Sequence, residues 1–504
     1  MARACALPTI TDDSALGGAV IERSLRFDIS DDAYLQATLG NSNLDKWTLS
    51  VWVKKPVNGA HQAILASGDS SVYTMVNFGN SDRLKFTNYP GSAAGTYITT
   101  RKFRDTSAWY HIVAIWDSGN STAGDRMRLY VNGVRETAFD QSDNPNQNQN
   151  SVINGNTQGG STWGNGKHRI GRFSNYADNS GCYYAEVNFV DGIALDPSYF
   201  GYTDFQTKTW RPKGYFGSYG TNGFRLDFSD NSAATAVTLG KDRSGQGNDF
   251  TLNNMAVSDS VLDTPSNNFA TLKTLGTPAA TTITEGNLYL DTNNTGSARA
   301  NRLTAFSTYF VNSGKWYCEH YHLAVHTMVG VAPPQIMRPY TSNNARYVMV
   351  YSGGGNKYVN TNGSESNSTY ATNYVANNVT GVLIDMDQTT PVMYVSYNGQ
   401  WANGSGAWNQ SNPYTSGGAI PMDNTFFTDH ADSTLSGSNG RKGYCGFWSA
   451  QAGGSEARHI YNFGQDSTFA GRTTAGGYKD ATGLSLIHIS EPTRPERIGV
   501  GGLG

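Results

Sequence analysis

In Trp47-Thr48-Leu49-Ser50-Val51-Trp52-Val53, the apolar side chains Trp47, Leu49, Val51 and Val53 alternate with Thr48, Ser50 and Trp52. Successive side chains of an extended chain point to opposite faces, so a period of two predicts a β-strand with one face on a core. The pattern recurs. Met127, Leu129 and Val131 alternate with Arg126, Arg128 and Tyr130 and run straight into Asn132-Gly133. Both central positions of a two-residue hairpin turn need positive φ, which Asn and Gly tolerate best, so this dipeptide predicts a hairpin. Far along the chain, Met393, Val395 and Tyr397 alternate with Val392, Tyr394 and Ser396, and that strand ends in Asn398-Gly399. Two hairpins of one kind, so far apart, fit two separate sandwiches.

The composition agrees. Charged residues are only 15% of the 504, aromatic residues are 12%, and there are 57 Gly and 29 Tyr. That is the balance of a sheet protein with many turns, not of a helical one. A chain of this length needs more than one core. The expectation is therefore an all-β fold, with two antiparallel, jelly-roll-like β-sandwich domains joined by a connector containing short strands. The boundaries fall at 1–20 for an N-terminal arm, 21–205 for the first sandwich, 206–285 for the connector and 286–483 for the second sandwich. Gln141 to Gly166, Ser352 to Asn378 and Asn403 to Gly418 are rich in Asn, Gly and Ser and read as surface loops. Phe224-Arg225-Leu226-Asp227-Phe228-Ser229-Asp230 echoes Leu25-Arg26-Phe27-Asp28-Ile29-Ser30-Asp31, which shared strand-and-turn usage explains as well as a repeat does.

Several function classes are disfavoured. A net charge of -3 leaves no electrostatic footprint for nucleic acid. No stretch approaches the ~20 apolar residues of a membrane span. Met1 to Ile10 has no apolar h-region, so no signal peptide is expected. Cys5, Cys182, Cys318 and Cys445 are too scattered for a zinc site or a disulfide framework. They read as isolated thiols of a chain made in a reducing cytoplasm.

The first 205 or so residues resemble the concanavalin A-like, laminin-G-type jelly-roll family. The matching blocks run in order: Trp47 to Val53, Trp109-Tyr110-His111-Ile112-Val113, Arg128 to Gly133, His168-Arg169-Ile170-Gly171 and Tyr184-Ala185-Glu186-Val187-Asn188-Phe189. Residues 286 to 480 resemble a SPRY domain, through Ser313 to Glu319, Val329-Gly330-Val331-Ala332, Gly381 to Asp387, Tyr394 to Gly399 and Tyr461-Asn462-Phe463-Gly464. The order of the two domains, linked through Asp196-Pro197-Ser198-Tyr199-Phe200-Gly201 and Thr209-Trp210-Arg211-Pro212-Lys213-Gly214, is similar to tail and virion proteins of environmental bacteriophages. Leu484 to Arg494 looks like a translated sequencing adapter, so 484–504 is set aside as a non-biological tail.

The resemblance admits both lectins and glycoside hydrolases. Retaining hydrolases of this scaffold carry Glu-x-Asp-x-(x)-Glu on a strand, but here the nearest match is Glu186-Val187-Asn188-Phe189-Val190-Asp191. Retention needs two carboxyls about 5–5.5 Å apart, and Asn188 stands where a carboxylate belongs. No catalytic residue is assigned. His320 and His322 share one strand face with His326 nearby, which suits metal ligation, but no carboxylate or Cys cluster accompanies them. Asp28, Asp31 and Asp32 are calcium candidates, with strand-end capping as the alternative. No other cofactor is expected.

Aromatic side chains in polar loops carry the binding expectation. Sugars pack their C–H faces on rings while their hydroxyls need polar partners. The carbohydrate-binding candidates are Trp163, Arg172, Tyr176, Tyr183, Trp401, Trp408 and Tyr414, and the alternative is that each ring folds back over a sandwich end. The combined expectation is a non-enzymatic phage virion or tail protein, located at the virion surface, that binds host-surface glycan. Other virion subunits, and further copies of the chain, are the remaining partners considered. A purely structural decoration protein and a polysaccharide depolymerase are the rival readings.

Overall fold

The computed structural model describes residues 18–92, 95–155, 166–173, 178–274, 281–292, 304–324, 326–333, 346–361, 364–422, 426, 444–451 and 457–473. Every pairing between its strands is antiparallel, and the fold is all-β. Two compact units divide the chain between Phe269 and Ala270. Among the described residues no helix is long and apolar enough to cross a membrane.

In the first unit one sheet runs in the order Val134–Arg135, Met127–Val131, Trp109–Asp117, Lys46–Lys54, Tyr183–Asp191, Ser24–Arg26, Ser260–Val261. The facing sheet runs Phe139–Asp143, Gly95–Lys102, Arg83–Tyr89, Tyr73–Phe78, Gln62–Gly68, Lys167–Ile170, Tyr34–Thr38, Thr251–Asn253. Trp47, Leu49, Val51 and Val53 all enter the core between them, beside Ile112, Trp116, Val76 and Phe86. The alternation thus reports the inner face correctly. The other face of the strand is buried as well. Thr48 Oγ1 donates to the Ile193 carbonyl at 2.8 Å, and Ser50 Oγ lies 2.8 Å from His111 Nε2. Trp52 stacks on His111, and Trp210, nearly parallel to that ring, donates Nε1 to His111 Nδ1 at 2.9 Å. A third layer of Leu195, Phe200, Tyr215 and Tyr219 covers Val113, Ile115 and Val190.

Much of that layer comes from the expected connector, which is corrected here. Phe224–Leu226 and Ser260–Val261 join the first sheet, and Thr251–Asn253 joins the second. Residues 206–269 therefore complete the first unit instead of standing outside it. The two echoing fragments flank the same strand. Leu25 pairs with Tyr184, while Leu226 pairs with Val187 on the same side of Tyr183–Asp191. Each is followed by the same turn, with Asp28 Oδ1 accepting from Ser30 N at 2.7 Å and Asp227 Oδ1 from Ser229 N at 3.1 Å.

The second unit pairs a sheet ordered Thr282–Thr284, Tyr289–Asp291, Arg458–Asn462, Lys315–His322, Val379–Asp385, Val392–Tyr397, Gln400–Ala402, Trp408–Gln410 with a six-stranded sheet around Thr327–Ala332 and Gly446–Gln451. Val329, Val331, Val382, Ile384, Val395 and Ile460 fill the space between them.

Both Asn-Gly hairpins form. Asn132 and Gly133 have φ of 50° and 78°, and Asn398 and Gly399 have 47° and 79°. The turns also match in detail. Asn132 Oδ1 accepts from His111 N at 2.8 Å, and Asn398 Oδ1 accepts from Val379 N at 3.1 Å. Each asparagine thus ties its turn to the neighbouring strand.

Two expected loops contain more structure than their composition suggests. Ile153 sits in the first core, and Trp47 Nε1 donates to Ser151 Oγ at 3.0 Å. Asn356–Thr361 and Ser364–Thr369 form a hairpin within the second stretch. Ser364–Thr369 is the edge strand of this sheet and its side chains are mostly exposed. Asn356–Thr361 is paired on both sides, half-buried over 356–359 and fully buried at Asn360.

Candidate functional site

The strand Lys315–His322 sends Tyr317 and Glu319 to the face opposite its core residue Cys318. Across the sheet, Asn462, Glu319, Gly381, Ser396 and Trp401 lie in one transverse row. Tyr317, Leu383 and Tyr394 form the next row. Gly381 is required by this packing, since a Cβ there would lie 2.1 Å from the Tyr317 hydroxyl. Tyr317, Leu383, Tyr394 and Trp401 form a small apolar cluster on this outer face. Lys315 and Asp385 bound it, their charged groups 3.7 Å apart.

Tyr414 lies over the edge of this cluster. Its short 3-10 turn, Pro413–Thr415, is capped by Asn412, whose side chain accepts from Tyr414 N at 2.9 Å. The Tyr414 ring meets Tyr394 edge-on at 5.6 Å, and Lys315 Nζ sits 4.7 Å above its centroid. Tyr414 remains 41% exposed. Burial and the neighbouring Asp385 carboxylate raise its hydroxyl pKa, so the phenol stays a neutral donor. An exposed ring beside a half-exposed ammonium can contact a sugar's C–H face and its hydroxyls together, with the fully buried Asp385 carboxylate holding them in place from below. Beneath them, Glu319 accepts from Tyr317 Oη at 3.2 Å and Asn462 Nδ2 at 3.3 Å. Burial pushes its carboxyl up to about 8, against the bonds from Asn462 and Tyr317, and no cation among the described residues is seen to offset it.

The sequence candidates divide. Tyr414 and Trp401 come together in this patch, but Trp401 is buried and serves as its floor. Trp408 lies elsewhere, half-buried among Tyr370, Tyr374 and Tyr397, with Nε1 donating to the Thr372 carbonyl at 2.8 Å. It covers the core. Tyr183 is corrected outright. It is fully buried on a strand beside Trp109, packed in the cluster that holds Trp52 and Val261. Arg172 is half-buried, its guanidinium 5.1 Å from the Tyr34 ring centroid. Trp163 and Tyr176 lie outside the described residues. Lys315, Tyr317, Asp385 and Tyr394 were not singled out, because they sit on strands whose alternation advertises only the opposite face.

The hydrolase-like strand has a different task. Glu186 sits in a bulge with φ of 47°, and Arg225 engages both of its oxygens at 2.6 and 3.1 Å. Asn188 Oδ1 accepts from Tyr219 Oη at 2.6 Å. Asp191 accepts from Ser42 Oγ, Asn43 Nδ2, Asn154 Nδ2 and Asn222 N. Glu186 thus ties its strand to Phe224–Leu226, and Asp191 clasps loops to the sheet.

Asp28 accepts from Ser30, and Asn179 Nδ2 donates to Asp32. His320 and His322 are buried inside the second sandwich and are joined there by His459. Among the described residues no group of three or more His, Cys, Asp or Glu is arranged to hold a metal ion. Cys182, Cys318 and Cys445 are buried free thiols.

Residues 30–177 match the model of the Concanavalin A-like lectin/glucanases superfamily. No curated protein matches the chain. Among solved structures, a proposed carbohydrate binding protein from Bacteroides ovatus is similar at 17% identity and a TM-score of 0.32, over 47% of this chain. The chain spans 59% of that protein's length. A heptameric SAP-like pentraxin from Limulus polyphemus is similar at 14% identity and a TM-score of 0.25, over 36% of this chain and 81% of the pentraxin. Domains LG4-5 of the mouse laminin alpha1 chain are similar at 10% identity and a TM-score of 0.26, over 77% of this chain and 78% of that one.

Proposed function

We propose that the chain is a non-enzymatic, carbohydrate-binding protein of a phage virion or tail, exposed at the particle surface and directed at host-surface glycan. The observation that carries the binding reading is the half-open Tyr414 ring, set between Tyr394, Lys315 and Asp385. The lectin-containing superfamily matched by residues 30–177 supports it from the other unit. The engagement of Glu186 by Arg225 favours binding over hydrolysis. The phage assignment, the SPRY-like reading of the second unit and the artificial tail rest on the resemblance of the sequence.

A stacking ring contributes about 1–2 kcal/mol, so Tyr414→Ala should weaken glycan binding about tenfold. The measurement is a glycan array together with host-cell adsorption, with circular dichroism to check the fold. An intact wild-type protein that binds no host polysaccharide and no host cell overturns the receptor reading. A structural decoration role is the second reading, and exposed apolar side chains favour it. Phe216 is 92% exposed, and Tyr199, packed on the neighbouring Tyr215, is 47% exposed. Such side chains suit packing against another virion subunit.

A further inference from the structure

Lys54 ends the strand Lys46–Lys54, and both its side chain and that of Asp263 are fully buried. Lys54 Nζ stands 2.7 Å from Asp263 Oδ2, 2.8 Å from Asn268 Oδ1 and 2.8 Å from the Phe269 carbonyl. Asp263 Oδ1 accepts from Trp109 Nε1 at 3.0 Å and from Phe269 N at 3.3 Å. Asn268 Nδ2 donates to the Ser107 carbonyl at 2.9 Å. The walls are apolar and aromatic, with Ile21, Trp52, Trp109, Tyr183 and Val261 in one cluster.

Burial lowers the Lys54 pKa and raises that of Asp263, even though each favours the charge of the other. Both shifts draw the pair toward a free amine beside a carboxylic acid. The neighbouring pair behaves differently. Burial would raise the Asp82 carboxyl, but bonds from Lys55, Gly59 N and Arg104 together hold it below its usual range. Lys54 thus combines what an amine nucleophile requires: a dry site that favours the neutral form, a proton carrier and a fixed carbonyl group.

We infer that Lys54 and Asn268 become joined by an isopeptide bond, with Asp263 as the acid–base group. The Lys54 Nζ lone pair forms the new bond to Asn268 Cγ while protonated Asp263 supports the oxygen that gains charge. The Cγ–Nδ2 bond then breaks. A proton leaving Nζ passes through Asp263 to Nδ2, which departs as ammonia. An amine and a carboxamide give a secondary amide and ammonia, with no oxidant or other reactant. The link fastens the 263–269 segment covalently to the sheet that it covers.

Intact-mass measurement of the full chain tests this. The folded protein should weigh about 17 Da less than its sequence, the mass of ammonia. A tryptic digest should contain a branched peptide joining Lys54 to Asn268. Asn268→Ala removes an exposed side chain, so it should fold and return the full sequence mass. Asp263→Asn should leave both reactants in place and likewise return the full mass. A folded wild-type protein at full sequence mass overturns the proposal. So does ammonia loss without a branched peptide, the outcome of ring closure at Asn132-Gly133 or Asn398-Gly399. A Lys54–Asp263 link formed with loss of water overturns the assignment of Asn268.

Discussion

Acidified from pH 7 to pH 5, the second unit should lose stability, because three buried histidines take up protons only when it unfolds. His320, His322 and His459 meet inside the sandwich with ring centroids 5.7–6.4 Å apart. Among the described residues, the groups shown against them are neutral. His322 contacts Thr380 and Thr327, His459 contacts Ser449, and Cys318, Tyr374 and Tyr461 complete the surroundings. Burial holds His320 down to about 3, and holds His322 and His459 well below the usual imidazole range, where His320 depresses them further. Unfolded, each would titrate near ~6.5. Between these values the unfolded state binds more protons, so the stabilisation is complete above the unfolded value and is lost as pH falls toward the folded one.

Each histidine then costs about 1.4 kcal/mol per pH unit, or roughly 6 kcal/mol for all three at pH 5. The protonated Glu319 carboxyl returns about 3 kcal/mol of this over the same range, leaving a net loss of roughly 3 kcal/mol against the about 5–15 kcal/mol of an ordinary domain. The first unit shares the sign through His111 and His168, lowered by burial to about 3 and about 4. Hydrogen-exchange protection factors should therefore fall with acid in Lys315–His322 and Arg458–Asn462. Protection in the second unit that does not change down to pH 4.5 contradicts the account.

Glu319→Gln should stabilise the second unit in mild alkali, the second large effect. Burial raises the Glu319 carboxyl to about 8, so the folded protein keeps its proton at neutral pH. The sign is opposite in origin to that of the histidines. The folded state binds the extra proton between the unfolded value, near ~4.3, and about 8, so stability declines as pH rises through that window. The ceiling on the cost above pH 8 is about 5 kcal/mol. Glutamine can keep the bonds to Tyr317 and Asn462 without a charge. Thermal unfolding of both forms at pH 6 and pH 8.5 measures this. The histidines act equally on both forms, so the readout is the difference: the variant should gain about 2–3 kcal/mol on the wild type between the two pH values. A difference that does not change with pH would mean that Glu319 is not the responsible group. With the histidines acting from below, the second unit should be most stable slightly below neutrality.

The inner faces of the sheets were legible because alternation reports which residues avoid water. Trp47 to Val53 and Met127 to Val131 went to the core as their pattern requires. The Asn-Gly turns were legible because their dihedral demands are local. The third layer was not. Thr48 and Ser50 look like solvent-facing residues, yet they are buried against Ile193 and His111, and only the fold brings distant chain onto them. The same cause misplaced Tyr183, which borders a polar loop in sequence but lies under Val261 in space. In the candidate site, Tyr414 could be read as a loop aromatic. Glu319 could not, since it alternates with His320 and Cys318 on a strand whose two faces are both polar and both buried. A two-residue period gives no clue when neither face meets water.

The strand Tyr183–Asp191 waits for its neighbours in an order set by translation. Its partner along Val187 to Phe189 is Phe224–Leu226, and the adjacent Ser24–Arg26 is sealed only by Ser260–Val261. A ribosome that has just added Asp191 must add about 70 more residues before Val261 exists, roughly 4–14 s of synthesis. Throughout that interval the nascent chain exposes unpaired edge strands, the kind of surface that recruits chaperones or a second nascent chain. The segment that closes the sheet last is thus also the one on which soluble production of the first unit depends.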